Sequence, residues 1–298
     1  MPNRHFSLLA VALLMVAACS PAAAPSGSPG PSGSPAPSPS PSSASGTIEH
    51  PTGATDVILR YDQGGGFVPV EFNLTNLPIF TLYGDGSILF RNPEDQPGGD
   101  NEFFLRYLPL KAAKLTEDQI QEVLAFAINQ GGLGVAREQY DNPQMADVGT
   151  VTFTIRAGGS EKVVSIVGLT ETGAEGPDAV ARKAFLALAT RLKNFDDNGA
   201  YPTVAYDPPA WRAYLQEVTG VVAQLHPWPW PDLKVSDFPT PRDPNGGLVF
   251  PRRVLTPEQV VALNLGDLRG GARGIYLVGP DNKQYSLSLR PLLPGESA

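Results

Sequence analysis

"TVTFTIRAGGSEKVVSIVGL", residues 150–169, is the stretch of sequence that decides the fold. Val151, Phe153 and Ile155 alternate with polar residues, so one face of a strand is apolar and the other is polar. "AGGS" then supplies the small, turn-forming residues that reverse the chain into a second β-branched run, 162–169. The stretch therefore predicts an antiparallel hairpin with one buried face.

Similar β patterns occur on both sides of this hairpin. "IFTLYGDGSILF" predicts two strands joined at Gly84-Asp85-Gly86, a turn that needs positive φ. "GIYLV" and "QYSLSL" predict a further hairpin across 279–282. Single strands are predicted at 56–61, "DVILRY", and at 67–72, "FVPVEF".

Helical patterns are interspersed with these strands. Thr116-Glu117-Asp118-Gln119 is a capping-box pattern that opens an amphipathic helix ended by Gly131 and Gly132. Apolar spacing predicts a second helix over 177–194 and a third after 207–209, the latter carrying Trp211. The alternation of hairpins and helices predicts the α+β class, an antiparallel sheet with a few packed amphipathic helices.

A second capping box suggests an internal duplication. "LTEDQI" at 115–120 and "LTPEQV" at 255–260 each open a helix that is followed by a hairpin. We hypothesise two related helix–hairpin units, which requires the same strand order relative to the helix in both.

The N-terminus carries the pattern of a secretory signal. Arg4 precedes an apolar run over 6–16, which is shorter than the roughly 20 residues needed to span a bilayer. Cys19, the only cysteine of 298 residues, follows Ala17 and Ala18. Val16-Ala17-Ala18-Cys19 resembles the lipobox of bacterial lipoproteins. The resemblance implies removal of residues 1–18, lipidation of Cys19 and attachment to the extracytoplasmic face of a bacterial membrane.

The segment after Cys19 is a predicted tether. Residues 20–46 are rich in Ser, Pro and Gly and have no charged, aromatic or large aliphatic side chain, so they cannot offset the entropy of ordering. We expect a lipidated cysteine and disordered tether over 19–46, an α+β domain over 47–200, and a smaller α+β subdomain over 201–298 packed on the first.

Composition disfavours several function classes. The net charge of −8, with no basic run, disfavours nucleic acid as a partner. The chain contains three histidines, and His5 leaves with the signal, so His50 and His226 remain. Without cysteine ligands either, a structural zinc site and a Ser-His-Asp or Cys-His centre are disfavoured, and we expect neither a resident metal nor a cofactor.

Carboxylates provide the remaining candidate chemistry. A loop with Glu94, Asp95, Asp100 and Glu102 offers oxygen ligands for a hard cation, although the spacing is not that of an EF-hand and an ordinary solvated loop is the alternative. Asp147, half-buried before its strand, could pair with Glu71 or Asp85 for glycoside hydrolysis. The alternative for Asp147 is a structural role in binding loop amides.

Trp228-Pro229-Trp230-Pro231 is the segment most suited to recognition. Prolines stiffen the backbone, and aromatic side chains are enriched in binding hot spots. Trp228 and Trp230 are therefore candidate contacts for an envelope protein or glycan; alternatively, both indoles fill the junction between the two halves. The sequence favours a non-catalytic, lipid-anchored binding or assembly module, and a glycan hydrolase with paired carboxylates is the second hypothesis.

Overall fold

The computed structural model describes residues 46–91, 104–171, 178–196, 199–220, 222, 224–242 and 249–297. The chain divides into two units, Met1–Ser45 and Gly46–Ala298, and all described residues belong to the second.

Two sheets and four helices make up the described part of this unit. The first sheet contains eight strands: β1 (Val57–Gly64), β2 (Phe80–Tyr83), β3 (Ser87–Phe90), β5 (Lys111–Lys114), β6 (Gln139–Tyr140), β7 (Thr150–Ala157), β8 (Ser160–Val167) and β9 (Val204–Ala205). The second contains six: β4 (Leu105–Arg106), β10 (Trp211–Glu217), β11 (His226–Pro227), β12 (Arg252–Leu255), β13 (Ala272–Val278) and β14 (Gln284–Pro291). The helices are α1 (Val70–Thr75), α2 (Glu117–Ile128), α3 (Ala179–Lys193) and α4 (Pro257–Val261), with 3-10 turns at Leu133–Val135 and Val235–Asp237.

The strand order is β6-β8-β7-β1-β2-β3-β5-β9 in the first sheet and β11-β13-β14-β10-β12 in the second, where β4 also pairs with β13. All pairings among the described residues are antiparallel except β6–β8 and β11–β13, which are parallel. The protein is thus a mixed α and β protein in which antiparallel sheet predominates, in agreement with the predicted α+β class.

The β7–β8 hairpin has the predicted geometry. Gly158 and Gly159, with φ of 59° and 74°, form its turn, and this handedness matches the twist of the flanking strands. Phe153 is fully buried, and it packs with Phe185 of α3 in the main core of the first sheet. Helices α2 and α3 therefore cover one face of this sheet, and the polar alternate residues of β7 and β8 lie on the other.

The capping boxes at Thr116 and Thr256 are both confirmed. Each threonine accepts a hydrogen bond from the backbone of the glutamine three residues later, whose side chain binds back to the cap. The strand orders differ, however. In the first unit, the first hairpin strand, β7, is the one nearer to β5, the strand that precedes the helix, and three strands lie between them. In the second unit, the second hairpin strand, β14, is the one nearer to β12, and one strand lies between them. The duplication hypothesis is therefore wrong, and the two boxes are independent occurrences of the same capping motif.

Two other sequence predictions are wrong in this unit. The predicted helix carrying Trp211 is strand β10, because Trp211, Ala213 and Leu215 alternate into the core with period two. The predicted strand over 67–72 is replaced by α1, which begins directly after Pro69; proline is well tolerated at a helix start.

The C-terminal segment packs on the second face of the first sheet, against β2 and β3. Leu293 is buried in a small cluster with Tyr83 of β2 and Leu89 of β3. Arg290 of β14 and Glu296 form two charge-assisted hydrogen bonds, of 2.5 and 2.8 Å, that hold this segment. Strands β7 and β8 keep exposed side chains on this face, Arg156, Glu161 and Val163 among them.

Candidate functional site

Trp228 and Trp230 lie together in the core of the second sheet. Their ring centroids are 5.1 Å apart at an interplanar angle of 89°, an edge-to-face contact. The Trp230 indole is 4% exposed and donates to the Gln259 carbonyl at 2.7 Å. The half-buried Trp228 donates to the Leu233 carbonyl at 2.8 Å. Both indoles pack within one core, and Trp230 presents almost no surface; a contact role for Trp228 stays a prediction.

Two further groups of predicted site residues lie outside the described residues. Cys19 is one of them. The acidic loop of Glu94, Asp95, Asp100 and Glu102 is the other.

A cleft of about 520 Å³ lies on the open part of the first sheet's polar face. It extends from the residues before β1 across the neighbouring strands β7 and β8. Its side chains have charges of both signs together with small polar and apolar groups. They include Asp56, Glu138, Thr154, Arg156, Glu161 and Val163.

Arg156 forms the centre of the cleft. Its Nη1 lies 3.6 Å from Asp56 Oδ1, and its Nε lies 3.8 Å from Glu161 Oε1. Both separations exceed ordinary hydrogen-bond lengths, and the Arg156 side chain is 47% exposed. The guanidinium is thus close to two carboxylates without strong bonds to either, so its donors can reach an incoming acceptor.

The walls of the cleft are positioned by the sheet. Arg156 is directly opposite Glu161, and Thr154 is opposite Val163, in the β7–β8 register. Lys162 is not available to a ligand in the same way, because its Nζ donates to the carbonyls of Gly134 and Ala136 at 3.3 Å each. Arg156 is therefore the cation of the cleft best placed to receive a ligand.

The buried Arg182 stabilises the edge of the first sheet beside the cleft. The Glu138 carbonyl accepts from Ser165 at 2.8 Å where β6 joins the sheet. Arg182 of α3, 3% exposed, donates to the carbonyls of Val167, Tyr140 and Asp141 at 3.0, 3.2 and 2.8 Å. The side chain of α3 thereby ties β6 and the end of β8 together beside the cleft.

A partly buried charge cluster adjoins the cleft. Asp62 lies farther along the polar face of β1, and burial raises its pKa although Arg60 and Arg290 oppose the shift. Burial also raises the pKa of Tyr83. Among the described residues, the hydroxyls of Thr81 and Tyr83 have no hydrogen-bond partner. This cluster lies under the C-terminal segment, away from solvent, so it is a poorer candidate for ligand contact than the cleft.

The carboxylates proposed from sequence have other positions. Asp85 lies in the β2–β3 turn; burial alone would raise its pKa, but hydrogen bonds from Lys114 and Ser87 hold the pKa below its ordinary value. Asp147 is exposed rather than half-buried, with a φ of 55°, and its carbonyl accepts from Phe67. Asp85 lies beside the first residue of the eight-residue β1, and Asp147 lies beside its last residue. They are therefore more than about 20 Å apart and cannot act as a pair.

Both ring nitrogens of His50 have a partner. His50 Nδ1 contacts the Pro51 carbonyl at 2.7 Å, and its Nε2 lies 3.2 Å from Glu117 Oε1. No group of three or more His, Cys, Asp or Glu residues able to hold a metal ion occurs among the described residues.

A search of the described residues for a helix long and apolar enough to cross a membrane found none. No family model, no curated protein and no solved structure matches this chain. The cleft around Arg156 and the sequence around Cys19 are two features from which a function can be argued.

Proposed function

We propose that this protein is a lipid-anchored, extracytoplasmic binding module of a bacterial cell envelope. The observation that carries the proposal is Cys19, the only cysteine of the chain, placed directly after a short apolar signal and small residues. Lipid chains contribute roughly 0.8 kcal/mol per buried CH₂, so two or more chains anchor a protein stably without a membrane-spanning helix. The Ser/Pro/Gly segment 20–46 supports the same proposal as a tether.

Replacement of Cys19 tests the anchor. In a bacterial host, the wild type and the control Ser26→Ala should sediment with membranes, whereas Cys19→Ala should be released or accumulate as the unprocessed precursor. Equal membrane retention of Cys19→Ala and the wild type would exclude a lipid anchor at this position.

The cleft around Arg156 is the proposed contact surface for an envelope protein or glycan. Three properties support this: its size, the loosely held guanidinium, and the neighbouring Thr154 hydroxyl and half-exposed Val163. Such a mixture of a cation, carboxylates, a hydroxyl and apolar surface suits recognition of a polar partner that offers both donors and acceptors.

Co-sedimentation with purified cell-wall glycan tests this contact surface. Arg156→Glu reverses the central charge, and Arg191→Glu on the helical side of the same sheet is the matched control. We expect the wild type and the control to sediment with the glycan and Arg156→Glu to remain in the supernatant. Equal sedimentation of all three proteins, or of none, would refute glycan binding by the cleft.

A glycan hydrolase is the second candidate, and one observation favours it. Asp56 and Glu161 both contact Arg156, so these carboxylates lie close enough for the roughly 5–10 Å separation that glycoside hydrolysis uses. Release of reducing ends from glycan by the wild type, abolished in Asp56→Asn, would favour the hydrolase over the binding module.

A further inference from the structure

A second pocket, of about 240 Å³, lies on the second sheet and is rich in arginine. Arg212 of β10 and the neighbouring Arg252 and Arg253 of β12 line it, together with Val254 and two prolines, Pro239 and Pro241. The pocket is far smaller than the cleft around Arg156, and it shares no lining residue with it.

Arg212 lacks the counter-charge that its neighbour possesses. In the sheet register, Arg212 is directly opposite Arg290 on one side and Val254 on the other. Two adjacent cations of this kind repel each other unless they are compensated. Arg290 is compensated, because Glu296 accepts from both of its Nη atoms. Arg212 has only the Ser297 carbonyl, at 2.5 Å from Nη2, and its Nε is buried without a partner among the described residues.

The two other arginines also lack a carboxylate partner among the described residues. Arg253 donates from Nη1 to the Asp237 carbonyl at 3.2 Å, and its register partner Ala213 places it on the opposite face of the sheet from Arg212. Arg252 is exposed, and its register partner Tyr214 places it diagonal to Arg212 on the same face. Within the described ranges, no carboxylate approaches any of these three guanidinium groups within 4.0 Å.

Arg212 and Arg252 have no carboxylate partner among the described residues although the chain is acidic. The protein has 30 acidic residues against 22 Lys and Arg, so acidic partners are abundant. A buried donor without an acceptor costs free energy, and a charged one costs more than a neutral one. The Ser297 carbonyl fixes the Arg212 guanidinium in place, which prepares the pocket for an anion before it binds.

We infer that this pocket binds a phosphate group. Guanidinium forks bind phosphate oxygens bidentately, and a charge of −2 matches the two cations on one face, Arg212 and Arg252, better than a single carboxylate does. The volume admits phosphate with a few further atoms, so the source can be inorganic phosphate or a small phosphate ester such as glycerol phosphate. The inference is independent of the cleft and of the lipid anchor.

Calorimetric titration of the purified full chain in detergent tests the inference. The ligands are inorganic phosphate, glycerol 3-phosphate and acetate, at constant ionic strength and pH 7.5. Arg252→Gln is the main variant, because Arg252 is exposed and its replacement leaves the core intact. Lys193→Gln, an exposed residue at the end of α3, makes the same charge change far from the pocket and is the control.

We expect saturable phosphate binding by the wild type and by Lys193→Gln, with a Kd at least about tenfold weaker in Arg252→Gln because a charge-assisted contact is lost. Tighter binding of glycerol 3-phosphate than of phosphate would assign the pocket to an ester, and the reverse would assign it to the free ion. Absence of phosphate binding, acetate binding as tight as phosphate, or unchanged binding by Arg252→Gln would each overturn the inference.

Discussion

The buried Arg182 offers a quantitative test of how the cleft is held in place. Arg182→Met keeps an unbranched side chain of similar length in α3 but removes the donors to three carbonyls at the edge of the first sheet. Each net hydrogen bond contributes about 1 kcal/mol, so the free energy of unfolding should fall by about 3 kcal/mol. The variant also avoids the free-energy cost of burying a charged guanidinium. The free energy of unfolding should therefore fall by less than the loss of three charged hydrogen bonds alone would give.

Thermal unfolding is the assay. For a folded unit of this size, 1 kcal/mol corresponds to about 2–4 °C, so Arg182→Met should lower Tm by about 6–12 °C. Lys183→Met, at the exposed neighbouring position of α3, makes the same substitution in a lysine and should change the free energy of unfolding by less than about 0.5 kcal/mol. Arg182→Lys should be intermediate, because a single ammonium cannot reach three carbonyls in a fixed fork.

Hydrogen exchange locates the effect. The amides of β6 and of the end of β8 should lose protection in Arg182→Met, since Arg182 joins these two segments to α3. A Tm that falls no further than that of Lys183→Met, or unchanged exchange in β6, would refute the role assigned to this side chain.

Three further substitutions test other parts of the fold. Glu296→Gln should cost about 1–3 kcal/mol at pH 7. Burial opposes the shift, but the Arg290 contact outweighs it and lowers the Glu296 pKa, so the wild-type advantage in urea unfolding should disappear as the pH falls below the ordinary range of a glutamate. Asp62→Asn should act in the opposite direction. Burial raises the Asp62 pKa, so the stability that the protonated carboxyl group contributes is lost as the pH rises. The variant should therefore unfold at a higher urea concentration than the wild type at pH 7, and at the same urea concentration at acidic pH. A less stable Asp62→Asn at pH 7 would contradict that sign. Trp230→Phe should lower the free energy of unfolding by about 1–3 kcal/mol, because the Gln259 carbonyl loses its donor; a urea midpoint equal to that of the wild type would show that this hydrogen bond contributes nothing.

Local patterns in the sequence were sufficient for many of the elements. The two capping boxes depend on residues three positions apart, and the β7–β8 turn depends on two adjacent glycines, so each could be predicted without tertiary information. The helix predicted at Trp211 is wrong because the apolar residues of this segment fit both the helical period and the strand period. The burial of Ala213 in the core shows the strand period, but an alanine side chain is too small to indicate a buried position from sequence.

The cleft could not be predicted, because it depends on register. Arg156 and Glu161 are neighbours along the hairpin, but Asp56 reaches them only because β1 lies beside β7. The pocket of Arg212 has the same origin, since β10 is placed between β12 and β14 by pairings across about 40 and 80 residues. Nothing in the spacing of these arginines along the chain indicates that they share a pocket.

The most direct test of the account is the mass and N-terminal residue of the protein extracted from bacterial membranes. We predict a chain that begins at Cys19 and whose Cys19 thiol carries a diacylglyceryl group. A chain recovered from membranes with an unmodified Cys19, or with its N-terminus at another residue, would contradict the lipid anchor.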